Sequence, residues 1–273
     1  MDMPYKLELL VKDYDIYKTL ECGQCFRHLL ISIDPLTYRV IASDKVCIIS
    51  QPSPDTINLQ LQSEEDRDFW LHYFNFAADY TPVADIVANN AFLKSAEYHG
   101  RGIKLLRQSP WETFISFIIS QNNNIPRIKK SVEALCKLAG KPIAEHVYAF
   151  PTLEELYNKK DSLSECGLGY REAAIRNAIV RIKEECPAFE VTLRQCVARG
   201  DINQYLQSFM GVGPKVAACI MLFGLQIQNQ FPRDTWIQRG VEAGNISEEE
   251  IRSFGEYSGI IQQYIYWKTR NSL

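Results

Sequence analysis

Lys215 and Asp234, nineteen residues apart, are the side chains of this sequence best placed to do chemistry. Lys215 directly follows Gly211-Val-Gly-Pro214, and Pro214 suits the first position of a helix because its missing N–H would have no partner there. A free lysine is protonated at neutral pH and is a poor nucleophile, but a helix N-terminus and an apolar pocket both disfavour the protonated form. Lys215 is therefore a candidate for a nucleophilic amine, and Asp234 follows nineteen positions later, where a further helix is predicted to begin.

The residues around Lys215 predict two short helices joined by a tight turn. Asp201 is suited to cap the first helix, and Gly224 is suited to end the second. The turn is Gly211–Gly213, with Val212 at its centre, and its glycines allow a sharp bend and a close approach to a partner. Backbone N–H groups beside a helix N-terminus bind anions, so the turn is a predicted phosphate site.

Together these residues resemble the helix-hairpin-helix and Gly-Pro-Asp signature of a DNA glycosylase superfamily, and the lysine-bearing form resembles its 8-oxoguanine DNA glycosylase/AP lyases. The resemblance covers roughly residues 20–270. It implies that Lys215 attacks C1′ of the deoxyribose, displaces the base and forms a Schiff base that permits strand cleavage by β-elimination. It also implies that Asp234 helps to activate the lysine and stabilises cationic character at the sugar.

Two further motifs of the resemblance concern the opened duplex. Asn122-Asn-Asn-Ile-Pro-Arg127 and the pair Tyr170-Arg171 after Gly-Leu-Gly match the family's loop and wedge motifs. The resemblance implies that Asn122 occupies the space of the expelled base and that Tyr170 replaces lost stacking. It implies that Arg127 and Arg171 read the orphaned base, because two arginines can satisfy the acceptors of a cytosine.

A third set of residues matches the family's pocket for the expelled base. Gly23-Gln-Cys-Phe26 resembles the family's Gly-Gln-x-Phe, in which the glycine carbonyl accepts from the N7–H that 8-oxoguanine has and guanine lacks. The resemblance implies that Cys219 and Tyr266 sandwich the base and that Gln262 bonds to its Watson–Crick edge.

The sequence departs from the best-known members of the family at three positions. Trp236 stands where they carry a histidine near a backbone phosphate, Tyr266 replaces a more usual phenylalanine, and Pro126 lies next to Arg127. Trp236 could alter how phosphate or sugar is held. Pro126 could change how strictly cytosine is required opposite the lesion.

Composition sets limits on these hypotheses. The net charge is −3 and the isoelectric point about 5.9, so a DNA partner has to be argued from local features and not from overall charge. Eight cysteines in 273 residues are too few for a disulfide scaffold and predict reduced thiols in an intracellular protein. Cys22 and Cys25 form one CxxC with no second pair at zinc-site spacing, and we expect no metal and no cofactor.

The sequence also predicts where the protein works. No apolar run is long enough to span a bilayer, and the N-terminus lacks the pattern of a signal peptide. We expect a monomer that acts on double-stranded DNA with 8-oxoguanine opposite cytosine, in base excision repair. Its compartment would be the cytoplasm, at the nucleoid, in a prokaryote and the nucleus in a eukaryote.

The predicted fold class is α+β, with an antiparallel sheet domain over residues 1–104 and an all-helical body over residues 105–273. Segments rich in β-branched and aromatic residues predict a meander of three strands, and turn residues separate them. From about residue 83 the pattern is helical, with a capping box at Ser109–Glu112. The predicted strands are Phe26–Ile33, Tyr38–Ala42 and Val46–Ser50.

Two other functions stay open from the sequence. One is a glycosylase of the same superfamily for other oxidised or alkylated bases, although the iron–sulfur type needs four cysteines near the C-terminus and the last cysteine here is Cys219. The other is a non-catalytic helix-hairpin-helix module that binds DNA through phosphates alone. That module would leave Lys215 and Asp234 without roles.

Overall fold

The computed structural model describes residues 3–186 and 188–271, and its fold is α+β, as predicted. The N-terminal sheet is antiparallel, with strand order β1-β5-β4-β3-β2. Its strands are β1 (Tyr5–Leu10), β2 (His28–Ile33), β3 (Leu36–Ala42), β4 (Lys45–Ser53) and β5 (Thr56–Leu61). The predicted meander corresponds to β2, β3 and β4, whereas β1 and β5 were missed. Both missed strands alternate between more buried and more exposed residues, which is the pattern of a sheet with one covered face.

One face of the sheet packs against two short helices. These are α1 (Ile16–Glu21) and α2 (Arg67–Phe74). Trp70 and Phe74 stack with ring centroids 5.5 Å apart and lie in one buried cluster with Tyr38 and Leu59 of the sheet. This cluster gives the sheet its own hydrophobic core, so the sheet can hold the segment after α1 in place.

The rest of the chain is mostly helical. It comprises α3 (Val83–Ile86), α4 (Ala91–Gly100), α5 (Pro110–Ile119), α6 (Ile125–Ala139), α7 (Leu153–Asn158), α8 (Arg171–Glu185), α9 (Phe189–Arg199), α10 (Ile202–Gln207), α11 (Pro214–Cys219), α12 (Thr235–Ala243), α13 (Glu248–Ser253) and α14 (Ser258–Asn271). The prediction of an all-helical body was too strict, because β6 (Pro142–Ala144) and β7 (Val147–Tyr148) form a small ribbon. Val147 packs there on Ile41 and Val46 of the sheet. None of the described helices is both long and apolar enough to cross a bilayer.

Helix α5 lies at the centre of the body, as its apolar sequence predicts. Every residue from Thr113 to Ile119 is buried. Ser109 caps the helix by accepting from the Glu112 N–H. The second half of the predicted capping box is not formed, because Glu112 Oε2 instead accepts from the Ser43 N–H at 2.8 Å. Burial raises the pKa of Glu112 above its ordinary value, and this carboxyl joins the sheet to the body.

Two more polar contacts join the two parts. Arg27 donates to Glu133 Oε1 at 3.0 Å and to the Tyr148 carbonyl at 2.5 Å. Glu21 Oε1 lies 3.3 Å from His28 Nε2, and the Lys129 ammonium of α6 is 3.9 Å from the other carboxylate oxygen. Burial alone would raise the pKa of Glu21, but these two neighbours lower it from 4.5 to about 2.

Glu21→Gln should remove a pH-dependent part of the stability. A folded pKa of about 2 means that wild-type Glu21 stabilises the fold above pH 4.5 and loses this contribution as the pH falls through about 2. We therefore expect the thermal midpoint of Glu21→Gln to lie below that of wild type at about pH 7, and the gap to shrink on acidification below about pH 4.5. Circular dichroism melts across this range test it. If the difference between the two thermal midpoints does not change with pH, the ionisation of Glu21 is not coupled to folding.

Candidate active site

The hairpin before Lys215 has the predicted helix–turn–helix form. Gly211 adopts φ +77°, and a Cβ there would lie 3.0 Å from Ala174 Cβ and 3.3 Å from Gln121 Nε2. Gly213 has φ −86° and a Cβ there would meet nothing within 4 Å, so only Gly211 is required by the fold itself. Val212 between them is buried.

The two helices of the hairpin differ in detail from the prediction. Asp201 stands at the start of α10, but its carboxylate pairs with Arg199 instead of capping the helix. After α11 the chain continues as a π-helical turn, Ile220–Gly224, and ends at Gly224 as predicted. In this turn the Leu225 N–H bonds to the Ile220 carbonyl. Such turns recur at functional sites because they change the direction in which side chains point.

Lys215 and Asp234 both line two neighbouring cavities. Lys215 is half-buried, with its Nζ 5.6 Å from the centre of the Phe117 ring. Asp234 caps α12 by accepting from the Ile237 N–H at 2.8 Å, which fixes its carboxylate. Both residues line an inner cavity of about 340 Å³ and also an outer groove of about 570 Å³.

The inner cavity collects residues that are far apart in the sequence. Its volume lies in the range of small-molecule pockets. All six residues predicted to act on the base or its sugar line it, and they come from the segment after α1, from α11 and α14, and from the residue before α12. These six are Gly23, Lys215, Cys219, Asp234, Gln262 and Tyr266. The fold therefore brings together what the sequence only predicted separately.

The walls of the inner cavity are held by close packing. Gly23 has φ +80°, and a Cβ on it would lie 3.2 Å from the Tyr266 hydroxyl. The Tyr266 hydroxyl is 3.5 Å from Arg270 Nη1, which also donates to the Glu21 carbonyl at 2.9 Å. Burial raises the pKa of the Cys219 thiol although the Lys215 charge opposes it, and burial also raises the pKa of Tyr266. Both groups thus stay neutral, as suits surfaces that contact an uncharged base.

A pair of glutamines forms one end of the cavity. Gln262 is buried, and its Nε2 donates to the Pro232 carbonyl at 3.1 Å. Gln263, which the sequence analysis did not single out, donates from its Nε2 to Gln262 Oε1 at 2.8 Å. Adjacent helical residues point about 100° apart, so the sequence alone did not indicate that both would line one cavity.

The outer groove contains the residues predicted to prop open a duplex. Asn122 adopts φ +43° and Tyr170 is 64% exposed, and both line the groove with Gly213 and Lys215. The Tyr170 hydroxyl donates to the Gln121 carbonyl at 3.2 Å. An exposed aromatic ring next to an open groove is the arrangement that stacking on a base requires.

The structure places the two predicted base-reading arginines in different surroundings. Arg127 is exposed at the start of α6. Arg171 is only 3% exposed, and its guanidinium donates to the Gln121, Asn122 and Leu168 carbonyls. It also lies 4.4 Å from the Tyr170 ring. In this state Arg171 holds the Asn122 loop in place, and it can contact a base only by giving up these hydrogen bonds.

The structure also shows the surroundings of the three residues that depart from the family pattern. Trp236 lines both cavities, with the Arg239 guanidinium 5.1 Å from its ring. Pro126 lies in the first turn of α6, where proline is tolerated, and Asn124 caps that helix through the Arg127 N–H at 3.0 Å. Tyr266 differs from a phenylalanine by the hydroxyl that faces Gly23.

The eight cysteines are free thiols. Burial raises the pKa of Cys22 to about 12. Within residues 3–186 and 188–271, no group of three or more His, Cys, Asp or Glu side chains could hold a metal ion.

Known proteins resemble this chain in sequence and in structure. Residues 6–114 match the family described as 8-oxoguanine DNA glycosylase, N-terminal domain. A probable N-glycosylase/DNA lyase of Methanothermobacter thermautotrophicus is 30% identical over 97% of this chain and 96% of its own length. The N-glycosylase/DNA lyase of Saccharomyces cerevisiae is 36% identical over 62% of this chain. The match spans about half the length of the yeast protein, at 49%.

A solved structure is similar over the whole fold. It is an 8-oxoguanine glycosylase/lyase of Clostridium acetobutylicum in complex with double-stranded DNA that contains cytosine opposite 8-oxoguanine. It is 32% identical, with a TM-score of 0.84 over 100% of this chain and 99% of its own.

The hairpin glycines offer a matched pair of variants. Gly211→Ala should lower the free energy of unfolding by about 1–2 kcal/mol, because alanine is strained at positive φ. Gly213→Ala should change it by less than about 0.5 kcal/mol, because its Cβ would meet open space. Urea unfolding of both variants checks this. Equal losses at the two positions would contradict the difference in backbone geometry.

Proposed function

Since this chain belongs to the 8-oxoguanine DNA glycosylase/lyase family, we propose that it excises 8-oxoguanine from duplex DNA and then cleaves the strand at the resulting abasic site. One observation carries the proposal: Lys215 and Asp234 both line a cavity in the size range of ligand pockets and also the groove next to it. An enzyme that works on a base in DNA has to take that base out of the stack. The inner cavity would receive the base, and the groove would hold the opened duplex.

The groove has the groups that an opened duplex needs. Tyr170 offers an exposed ring for stacking, and Asn122 lies on a loop beside it. Gly213 and Pro214 open α11 at the same groove, where the backbone N–H groups of the turn would bind a phosphate. The overall charge of −3 makes these local contacts the source of affinity.

The inner cavity can distinguish 8-oxoguanine from guanine at one atom. The lesion carries an N–H at N7, and the Gly23 carbonyl is the predicted acceptor. Among the described residues, no hydrogen bond is accepted by this carbonyl, so it remains available. Cys219 and Tyr266 line the same cavity and would contact the faces of the base. A buried acceptor left unpaired by guanine would disfavour the undamaged base.

The chemistry then requires the Lys215 amine in its neutral form. The amine nitrogen forms a bond to C1′ while the glycosidic bond breaks, and the departing base keeps the electron pair and takes up a proton. Loss of a proton from the bound nitrogen and opening of the sugar ring give a Schiff base. Removal of a C2′ proton then expels the 3′ phosphate and cleaves the strand. Asp234 stabilises the positive charge that develops at the sugar.

The setting of this activity follows from the proposal. Every residue assigned above belongs to one chain, which supports action as a monomer. A repair enzyme works where the genome is, so we place the protein at the nucleoid of a prokaryotic cell or in the nucleus of a eukaryotic one.

Borohydride trapping tests the role of Lys215. Wild type should form a covalent adduct with a duplex that contains 8-oxoguanine, because borohydride reduces the Schiff base. Lys215→Gln should form no adduct, and its excision rate should fall by roughly 10³-fold or more. Lys141→Gln, which changes a lysine that is 82% exposed and outside both cavities, is the matched control and should trap normally. If Lys215→Gln still forms the covalent adduct, Lys215 is not the nucleophile. If wild type forms the adduct only with a thymine glycol duplex, the substrate is an oxidised pyrimidine and not 8-oxoguanine.

A comparison of two arginine variants tests which one reads the opposite base. Arg127→Ala should reduce the preference for cytosine opposite the lesion by about tenfold, because one base contact is worth about 1–3 kcal/mol. Arg171→Ala should slow excision opposite every base alike, because it releases the Asn122 loop. Single-turnover rates with each of the four opposite bases measure both effects. If Arg171→Ala relaxes the preference as much as Arg127→Ala, the guanidinium leaves the loop and reads the base.

A further inference from the structure

Gln263 is a buried residue of the cavity wall that the proposed reaction does not use. It follows Gln262 on α14, and both side chains are almost inaccessible to solvent although they line the cavity. Gln263 Nε2 donates a hydrogen bond to Gln262 Oε1 at 2.8 Å. The Gln263 oxygen, Oε1, is buried and has no hydrogen-bond partner among the described residues.

The carbonyl of Pro232 determines which way both amides face. A backbone carbonyl can only accept, so the Gln262 atom 3.1 Å from it must be the amide nitrogen. The Gln262 oxygen then faces Gln263, and only the Gln263 nitrogen can donate to it. No other orientation of either amide keeps both hydrogen bonds, so the assignment of nitrogen and oxygen follows from the network.

Among the described residues, only the nitrogen of the Gln263 amide makes a hydrogen bond, so the oxygen adds no bond to the fold. A buried acceptor without a partner lowers the stability of a fold, whereas an apolar side chain of similar shape removes that cost. Methionine would fill nearly the same space without an unsatisfied oxygen. The amide nitrogen of Gln263 is the part that an apolar residue cannot replace, and the group that it holds is Gln262.

This orientation of Gln262 presents an acceptor to the base. A carbonyl oxygen has two lone pairs, so Gln262 Oε1 can accept a second hydrogen bond. The Watson–Crick edge of 8-oxoguanine offers N–H donors at N1 and at the 2-amino group. The edge of 8-oxoadenine has an unprotonated N1 instead, which would place an acceptor against an acceptor, and such mismatches are strongly rejected in buried sites.

We propose that Gln263 is a positioning residue that fixes the amide oxygen of Gln262 as the acceptor for a guanine-type edge. The inference rests on the proposed function, because it names what selects the base in the same cavity. Without Gln263 the Gln262 amide is held only at its nitrogen, by the Pro232 carbonyl, and its oxygen loses the donor that fixes it toward a guanine-type edge. Gln263 thus acts on selectivity through Gln262 and does not touch the base.

The test is a double-mutant cycle of Gln262→Met, Gln263→Met and the double variant, on duplexes with 8-oxoguanine or 8-oxoadenine opposite cytosine. For Gln263→Met we expect KM for the 8-oxoguanine duplex to rise about tenfold with little change in kcat, which is the loss of about one hydrogen bond. The preference for 8-oxoguanine over 8-oxoadenine should fall by about the same factor. The thermal midpoint should stay level or rise, and the double variant should match Gln262→Met alone.

Other outcomes separate this inference from the function on which it rests. A lower thermal midpoint for Gln263→Met with an unchanged base preference would mean that Gln263 is only structural. Losses that add in the double variant would mean that Gln263 acts independently of Gln262. Either result, with wild type still excising 8-oxoguanine, overturns the inference alone. A wild-type chain that does not excise 8-oxoguanine overturns the proposed function as well.

Discussion

The site depends on one placement, that of an amine and a carboxylate that line the same cavity and the same groove. The N-termini of two helices create this placement. Pro214 begins α11 and sets Lys215 in its first turn, while Asp234 caps α12 and is held there by the Ile237 N–H. Both features are local to their helices, so each helix positions its own side chain independently of the other.

The N-terminal part of the chain contributes to the cavity, because Gly23 lines it together with Lys215. Gly23 lies between α1 and the sheet with φ +80°, and a Cβ there would be strained and would lie 3.2 Å from the Tyr266 hydroxyl. The sheet and the helical body are also joined by polar contacts, in which Glu112 binds the Ser43 N–H and Arg27 binds Glu133. Contacts of this kind are specific in direction, so they favour one orientation of the sheet on the body.

Much of this was predictable from the sequence where the signal was local. The hairpin and the buried helix α5 follow from glycines, a proline at a helix start and apolar runs within a few residues, whereas the roles of Lys215 and Asp234 came from the resemblance to a known family. What could not be predicted depends on distant partners. Strand β1 pairs with β5, fifty residues away, and Glu112 leaves its expected cap for Ser43. Arg171 turns inward because the Gln121 and Asn122 carbonyls of a distant loop accept from it. Gln263 bonds to Gln262, whose own orientation depends on the Pro232 carbonyl.

The most direct measurement is to locate the covalent bond on the protein. A complex of wild type with an 8-oxoguanine duplex would be reduced with borohydride and digested with protease and nuclease, and the remaining peptides would be sequenced by mass spectrometry. The account predicts that the sugar remnant is carried by Lys215 and by no other amine. A remnant on a different lysine or on the N-terminal amine, or full excision with no remnant at all, would contradict the central claim that this one side chain is the nucleophile.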